Sequence, residues 1–140
     1  KEAIEAAGVH AAASRDELFE QCDIVSLHIP ATPETRQSIN HDLVNKMKKG
    51  GILVNTARKE VIDEPGLIAL MQERGDLKYI TDIKPDADAT FSSEFPGRYF
   101  ATPKKMGAQT AEANVNAGIA AARQIVAYLK DGVTKSQVNK

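Results

Sequence analysis

Four short stretches hold side chains whose types and spacing could do chemistry: "NTARKE" around Arg58, "TDI" around Asp82, "KPDADA" with Asp86 and Asp88, and "TPKKMGA" with Lys104 and Lys105. Arg58 follows an apolar run, and there a guanidinium offers two parallel N–H donors to a carboxylate. The alternative is an arginine that caps a strand end or pairs with Glu60. Lys104 and Lys105 sit at a strand end before a helix. Desolvation and the positive end of the helix dipole disfavour a charged lysine in such a place, so it can trade protons nearer neutral pH. Away from such surroundings lysine is a surface charge. Asp82 either holds a polar ligand group or hydrogen-bonds a neighbouring loop, while Asp86 and Asp88 read as solvated acids. His28 reads as a packed strand histidine and Cys22 as a small buried hydrophobe. His10, His28 and His41 lie far apart, with no cysteine or paired carboxylates at ligand spacing, so no metal is expected.

The elements that must position these residues follow from periodicity and punctuation. "KEAIEAA" reads as the tail of a helix closed by Gly8, with a short extended piece at 9–12. Ser14 and Glu17 form a capping-box pattern that opens a helix through Gln21. "DIVSLHI" (23–29) is a continuous apolar, β-branched run, as expected of a buried parallel strand. "HDLVNKMKKGG" gives a short helix and "ILVNTA" a second buried strand. "DEPGLIALMQERG" gives a helix capped by Asp63 with Pro65 in its first turn. "LKYITDI" (77–83) is a third strand, 84–97 a polar loop with two prolines, and "RYFATP" a fourth strand. A long Ala-rich helix then runs from about Thr110 to Lys130 and stops at Gly132. Strands alternating with helices predict a parallel α/β sheet. In such sheets ligands bind beyond the carboxyl ends of the strands, where all four chemical stretches fall.

Composition narrows the classes. The 140 residues carry 18 basic and 19 acidic side chains for a net charge of -1, scattered rather than blocked. That charge pattern argues against nucleic acid and a membrane surface as partners. No apolar run approaches ~20 residues, so no membrane helix is expected. A single cysteine fits a reducing compartment, and a cytoplasmic location is the expectation. Lys1 stands where an initiator Met is usual, so the chain reads as a fragment with part of the fold upstream. No G-x-G-x-x-G occurs, so phosphate chemistry alone does not announce a dinucleotide site.

In their order and spacing, "CDIVSLHIPATPETRQSIN", "MKKGGILVNTARKEVIDE", "TDI" and "ATPKKMGAQTAEAN" resemble the NAD-dependent D-2-hydroxyacid dehydrogenases, and within that family the phosphoglycerate dehydrogenases. The resemblance implies the C-terminal half of a Rossmann-like doubly wound parallel sheet plus a long C-terminal crossover helix. Residues 1–109 would form the C-terminal part of the NAD-binding domain, and 110–140 a crossover helix and tail packing on the substrate domain. The glycine-rich loop and most of the substrate domain would lie upstream. It implies NAD as cofactor, a small, phosphorylated 2-hydroxy or 2-keto acid as substrate, and a homodimer. The reaction would be 3-phosphoglycerate oxidation to 3-phosphohydroxypyruvate in serine biosynthesis. The alternatives are another D-2-hydroxy acid, or a non-catalytic NAD-sensing, corepressor-like protein.

Residue by residue, Arg58 matches the arginine that binds the substrate carboxylate and borders the cofactor. Thr56, Ala57 and Asp82 match cofactor contacts, Asp82 at the nicotinamide amide. His28 and Pro30 open the loop along the cofactor, and Gly107 and Ala108 match backbone positions near the nicotinamide. Two positions depart from the family pattern. Lys104 and Lys105 stand where the family has its proton-transferring histidine after Thr-Pro. Ala87, flanked by Asp86 and Asp88, stands where it has the glutamate that holds that histidine. A lysine needs no partner to orient an imidazole, so the double change is chemically coherent, and one lysine of the pair, Lys104 first, is the expected acid–base group.

Overall fold

A computed structural model describes residues 2–103, 110–135 and 137–138. Lys104, Lys105, Gly107 and Ala108 therefore lie outside the described residues. The chain divides into two compact units, Lys1–Lys104 and Lys105–Lys140.

The first unit is built on four parallel strands, β1 (Ile24–Leu27), β2 (Ile52–Asn55), β3 (Lys78–Thr81) and β4 (Tyr99–Ala101), in the order β1-β2-β3-β4. The register aligns their carboxyl ends: Leu27 pairs with Asn55, Asn55 with Thr81, and Thr81 with Ala101. Helices α1 (Glu2–Ala6) and α2 (Arg15–Gln21) precede the sheet, and α3 (His41–Asn45), α4 (Glu64–Glu73) and α5 (Asp88–Glu94) connect its strands. Each crossover steps the same way across the sheet. Because such connections are right-handed, the connecting helices collect on one face. Burial follows: Val25, Leu27, Leu53 and Tyr79 pack with Phe19, Val44, Leu67, Leu70, Met71, Phe91 and Phe95 into one core.

The Ser14 capping signal acts as read, whereas the cap expected of Asp63 does not form a side-chain bond. Ser14 Oγ accepts from the Glu17 N–H at 3.1 Å, and the Glu17 carboxylate reaches back to the Ala13 N–H. Asn40 caps α3 through the Leu43 N–H at 3.1 Å. Asp63 precedes α4 without a side-chain capping bond, and Pro65 lies in the first turn.

Two expectations need correction. Strand β1 is not buried on both faces: Val25 and Leu27 are buried, but Ile24 is 60% exposed. A sheet that grows in one direction covers only one face with its own crossovers, so an apolar run does not guarantee two-sided burial. The polar stretch 84–97 is not all loop, because it contains α5. Phe91 and Phe95, four apart, supply a buried helical stripe, and Pro85 and Pro96 bracket the helix rather than abolish it. Gly8, expected to close α1, does so at φ 75°, and residues 9–12 follow outside helix and strand.

In the second unit, α6 (Ala111–Asp131) is a single 21-residue helix. Thr110 caps it through the Ala113 N–H at 3.0 Å, and Gly132 ends it in the left-handed conformation at φ 65°, where a side chain would be strained. Among the described residues no helix is long and apolar enough to cross a membrane.

Candidate active site at the carboxyl edge of the sheet

Asn55, the last residue of β2, shapes the turn that carries Arg58. It is completely buried. Its Oδ1 accepts from the Ala57 N–H at 3.0 Å, and its Nδ2 donates to the Arg58 carbonyl at 3.1 Å. One buried amide thus satisfies a donor and an acceptor of the tight turn that follows β2. Arg58 emerges exposed, and its guanidinium makes one hydrogen bond among the described residues, Nη1 to the Ala57 carbonyl at 3.0 Å. Among the described residues Arg58 forms no ion pair with Glu60, the pairing weighed from sequence.

Beside it, Thr56 Oγ1 donates to the Leu27 carbonyl at 3.1 Å and lies 3.2 Å from His28 Nδ1. With its single proton committed to the carbonyl, that hydroxyl accepts from His28 Nδ1–H. His28 Nε2, 2.9 Å from Ser26 Oγ, is then an acceptor for the serine hydroxyl in the neutral ring. His28 is exposed at the carboxyl end of β1, not packed in the core, which corrects the reading of it as a buried strand residue.

An open cleft of about 540 Å³ is lined by His28, Ile29, Pro30, Ala31, Thr56, Ala57 and Arg58. It brings together five of the residues marked in the sequence. Among the described residues the lining contains one permanent cation, a hydroxyl, an imidazole, an apolar strip and no carboxylate. That donor set suits an elongated anion with flat apolar portions, as a dinucleotide is.

Asp82 follows β3 at the same edge, its N–H donating to the Asn55 carbonyl at 3.1 Å. Thr81 Oγ1 donates to the Ile83 carbonyl at 2.8 Å and bends the chain away from the sheet. Asp86 and Asp88, read as solvated acids, are both engaged. Asp86 pairs with Lys59 at 2.5 Å. Asp88 pairs with Lys84 at 2.8 Å and accepts from the Tyr99 hydroxyl at 2.7 Å. These two partners hold the Asp88 carboxyl below its ordinary range, and burial together with the Asp88 charge pushes the Tyr99 hydroxyl up. Asp86 stays 79% exposed, as a solvated acid does, while Asp88 is 26% exposed.

The edge loops are also laced to one another. The Gln37 N–H donates to the Glu60 carbonyl at 2.9 Å and the Ile39 N–H to the Val61 carbonyl at 3.0 Å, tying the loop after β1 to the turn after β2. Sequence reasoning missed Asn55, whose signal was a polar residue closing the apolar run "ILV". It also missed these long-range ties, which leave no local trace.

A one-directional parallel sheet with an acid-free, arginine-bearing cleft at its carboxyl edge defines an α/β nucleotide-binding domain. Residues 1–97 match the family model described as "D-isomer specific 2-hydroxyacid dehydrogenase, NAD binding domain", and the chain belongs to that family. NAD is accordingly the cofactor of this domain. The solved structure of NAD+-bound 3-phosphoglycerate dehydrogenase from Entamoeba histolytica is 53% identical, with a TM-score of 0.79 over 92% of this chain and 42% of that one. D-3-phosphoglycerate dehydrogenase of Haemophilus influenzae is 36% identical over 90% of this chain and 32% of its own length. Glyoxylate reductase of Thermofilum pendens is 34% identical over 89% of this chain and 37% of its own length. The chain therefore spans about a third of the curated relatives it matches.

Proposed function

We propose that the protein oxidises 3-phosphoglycerate to 3-phosphohydroxypyruvate with NAD, as part of serine biosynthesis. The observation that carries this reading is Arg58, presented by the Asn55 clamp into a cleft without carboxylates. A guanidinium so placed grips the substrate carboxylate bidentately and orients the neighbouring carbon. Asp82 would hold the nicotinamide amide, and Gly107 and Ala108 are the positions that the family resemblance assigns to the neighbourhood of the ring. Bound NAD supplies the hydride acceptor.

The proton is taken by a lysine, Lys104 directly after Thr102-Pro103 or Lys105 beside it. Its neutral amine accepts the 2-hydroxyl proton as the C2–H bond breaks and the carbonyl forms, and its ammonium returns the proton in reduction. Ala87 at the usual glutamate position agrees with this, because Asp86 and Asp88 already have cationic partners and an amine has no ring to orient. Residues 1–109 act as the C-terminal part of the NAD-binding domain and 110–140 as the crossover to a substrate domain, in a cytoplasmic homodimer. The glyoxylate reductase likeness favours, as the second reading, another D-2-hydroxy acid as substrate.

The test is NADH production from 3-phosphoglycerate by the full-length protein, against Lys104→Ala and Lys105→Ala. One variant is expected to lose about two to four orders of magnitude in kcat while still binding NAD. In the wild type, kcat for oxidation should rise with pH through the lysine pKa, at or below ~10.4. Two active variants would remove the lysine assignment. A wild type that binds NAD but turns over no 2-hydroxy acid would make it a sensor.

A further inference from the structure

Glu64 plays no part in the chemistry above, yet both of its carboxylate oxygens are in use. Oε1 accepts from the Asp86 N–H at 3.0 Å and Oε2 from the Ala87 N–H at 2.8 Å. Glu64 opens α4, just beyond the turn that carries Arg58, whereas Asp86 and Ala87 close the loop that begins at Asp82. The carboxylate therefore joins the two loops that hold the proposed substrate grip and the proposed nicotinamide contact, across 22 and 23 residues of sequence.

The near end of the second loop is fixed without Glu64, by Asp82 N–H on the Asn55 carbonyl. Beyond Ile83 the chain leaves the sheet, and its far end is held from the β2 side by Glu64 and by the Lys59–Asp86 pair. These two ties are unequal. Lys59 and Asp86 are 35% and 79% exposed, and a flexible, solvated ion pair of that kind sets distance poorly. Two oxygens on two successive N–H groups fix orientation as well as distance, and charge assistance strengthens both bonds. The N–H groups are those at the start of α5, which no side chain of their own segment caps.

We propose that Glu64 is a positioning residue: it holds the far end of the loop that begins at Asp82 against the start of α4, and so limits how that loop can move over the cleft that aligns the substrate carbon with the nicotinamide. This rests on the dehydrogenase reading above. Its leverage comes from the steepness of hydride transfer with geometry, since displacement by about 1 Å costs on the order of 10²-fold in rate.

The test compares wild type, Glu64→Ala and Glu64→Gln in the full-length protein. Four readouts are taken: amide hydrogen exchange of residues 82–88 without ligands, the urea unfolding midpoint, the Kd for NADH by fluorescence, and kcat and KM for 3-phosphoglycerate. In Glu64→Ala, exchange at Asp86 and Ala87 should accelerate, and the Kd for NADH should rise about 10-fold. The kcat should fall on the order of 10²-fold, with KM for the acid changing far less. Glu64→Gln keeps the shape and one acceptor oxygen, so it folds if the fold tolerates any change here, and it should recover part of the loss. A residue that only stabilises the fold would lower the unfolding midpoint but leave Kd and kcat alone. That pattern in either folded variant overturns the proposal while wild-type turnover keeps the dehydrogenase reading. A wild type that turns over no 2-hydroxy acid overturns both.

Discussion

Arg74 and Asp76 form a closed clasp at the end of α4: Nη2 lies 2.7 Å from Oδ2, and the same oxygen accepts from the Gly50 N–H at 2.7 Å. Arg74 also donates to the Asn45, Met47 and Lys48 carbonyls. The clasp thus finishes two helices and fixes the Gly50-Gly51 turn from which β2 starts. At Gly50 the backbone has φ 79°, which favours glycine. β2 in turn delivers Asn55 and Arg58 to the cleft, so a contact at the amino edge of the sheet supports the register at its carboxyl edge.

That clasp predicts an acid-sensitive stability. The arginine and the Gly50 N–H hold the Asp76 carboxyl at about 2, below its ordinary value of 3.8. A depressed folded pKa stabilises above the unfolded pKa and is lost as pH falls from near 4 toward 2. With the carboxylate 25% exposed, screening leaves about 1 kcal/mol. His41, 3.0 Å from Asp42 and 3.2 Å from Glu73, works in the opposite sense. Its raised pKa contributes below the unfolded value of about 6.5 and fades as pH rises through the folded one. Urea unfolding from pH 2 to pH 9 should show Asp76→Asn less stable than wild type at pH 6 and equal to it near pH 2. A constant difference across that range would remove the linkage.

Much of this arrangement was legible in the sequence, and the reasons differ by element. β2, β3 and α4 were read nearly to their ends, because apolar runs bounded by Gly, Asp-Glu-Pro and Gly carry local information. α5 was not, because its helical signal is two phenylalanines inside "DATFSSE", a segment of polar residues with weak helix propensity. Arg58 was legible as a strand-end cation. Its environment was not, since the acid-free lining depends on which loops the crossovers bring side by side. Glu64 was read only as part of a helix start, and its partners lie 22 residues away.

Phe91 anchors the element that the sequence hid. It is fully buried, with its ring centroid 5.4 Å from Tyr79, 5.1 Å from Tyr99 and 6.0 Å from Phe95. Phe91→Ala removes most of that contact and leaves a cavity under α5, at a cost of about 3–5 kcal/mol. The urea midpoint should fall accordingly. Because α5 follows the loop that starts at Asp82, the Kd for NADH should also weaken in the fraction that stays folded. A loss below about 1 kcal/mol would mean that the aromatic cluster repacks around the gap.

Arg58 offers the sharpest separation of substrate from cofactor, because charge and shape can be changed independently. Arg58→Lys keeps a cation at the end of β2 but replaces a planar fork with a point charge that cannot hold a carboxylate in two parallel bonds. The Asn55 clamp acts on the backbone of the turn, so the substitution should leave the turn and the unfolding midpoint nearly unchanged. If Arg58 grips the substrate, KM for the 2-hydroxy acid rises and kcat/KM falls by roughly 10²-fold or more, about 3 kcal/mol, which is one charge-assisted bond and the orientation it imposed. The Kd for NADH then stays within about twofold, since solvated cation-to-anion attraction survives a change of cation. The opposite pattern, a weakened Kd for NADH with an unchanged KM for the acid, would place the guanidinium on the cofactor and require another cation for the carboxylate. Steady-state kinetics at saturating NAD, with NADH fluorescence titration of the same preparations, separate the two outcomes.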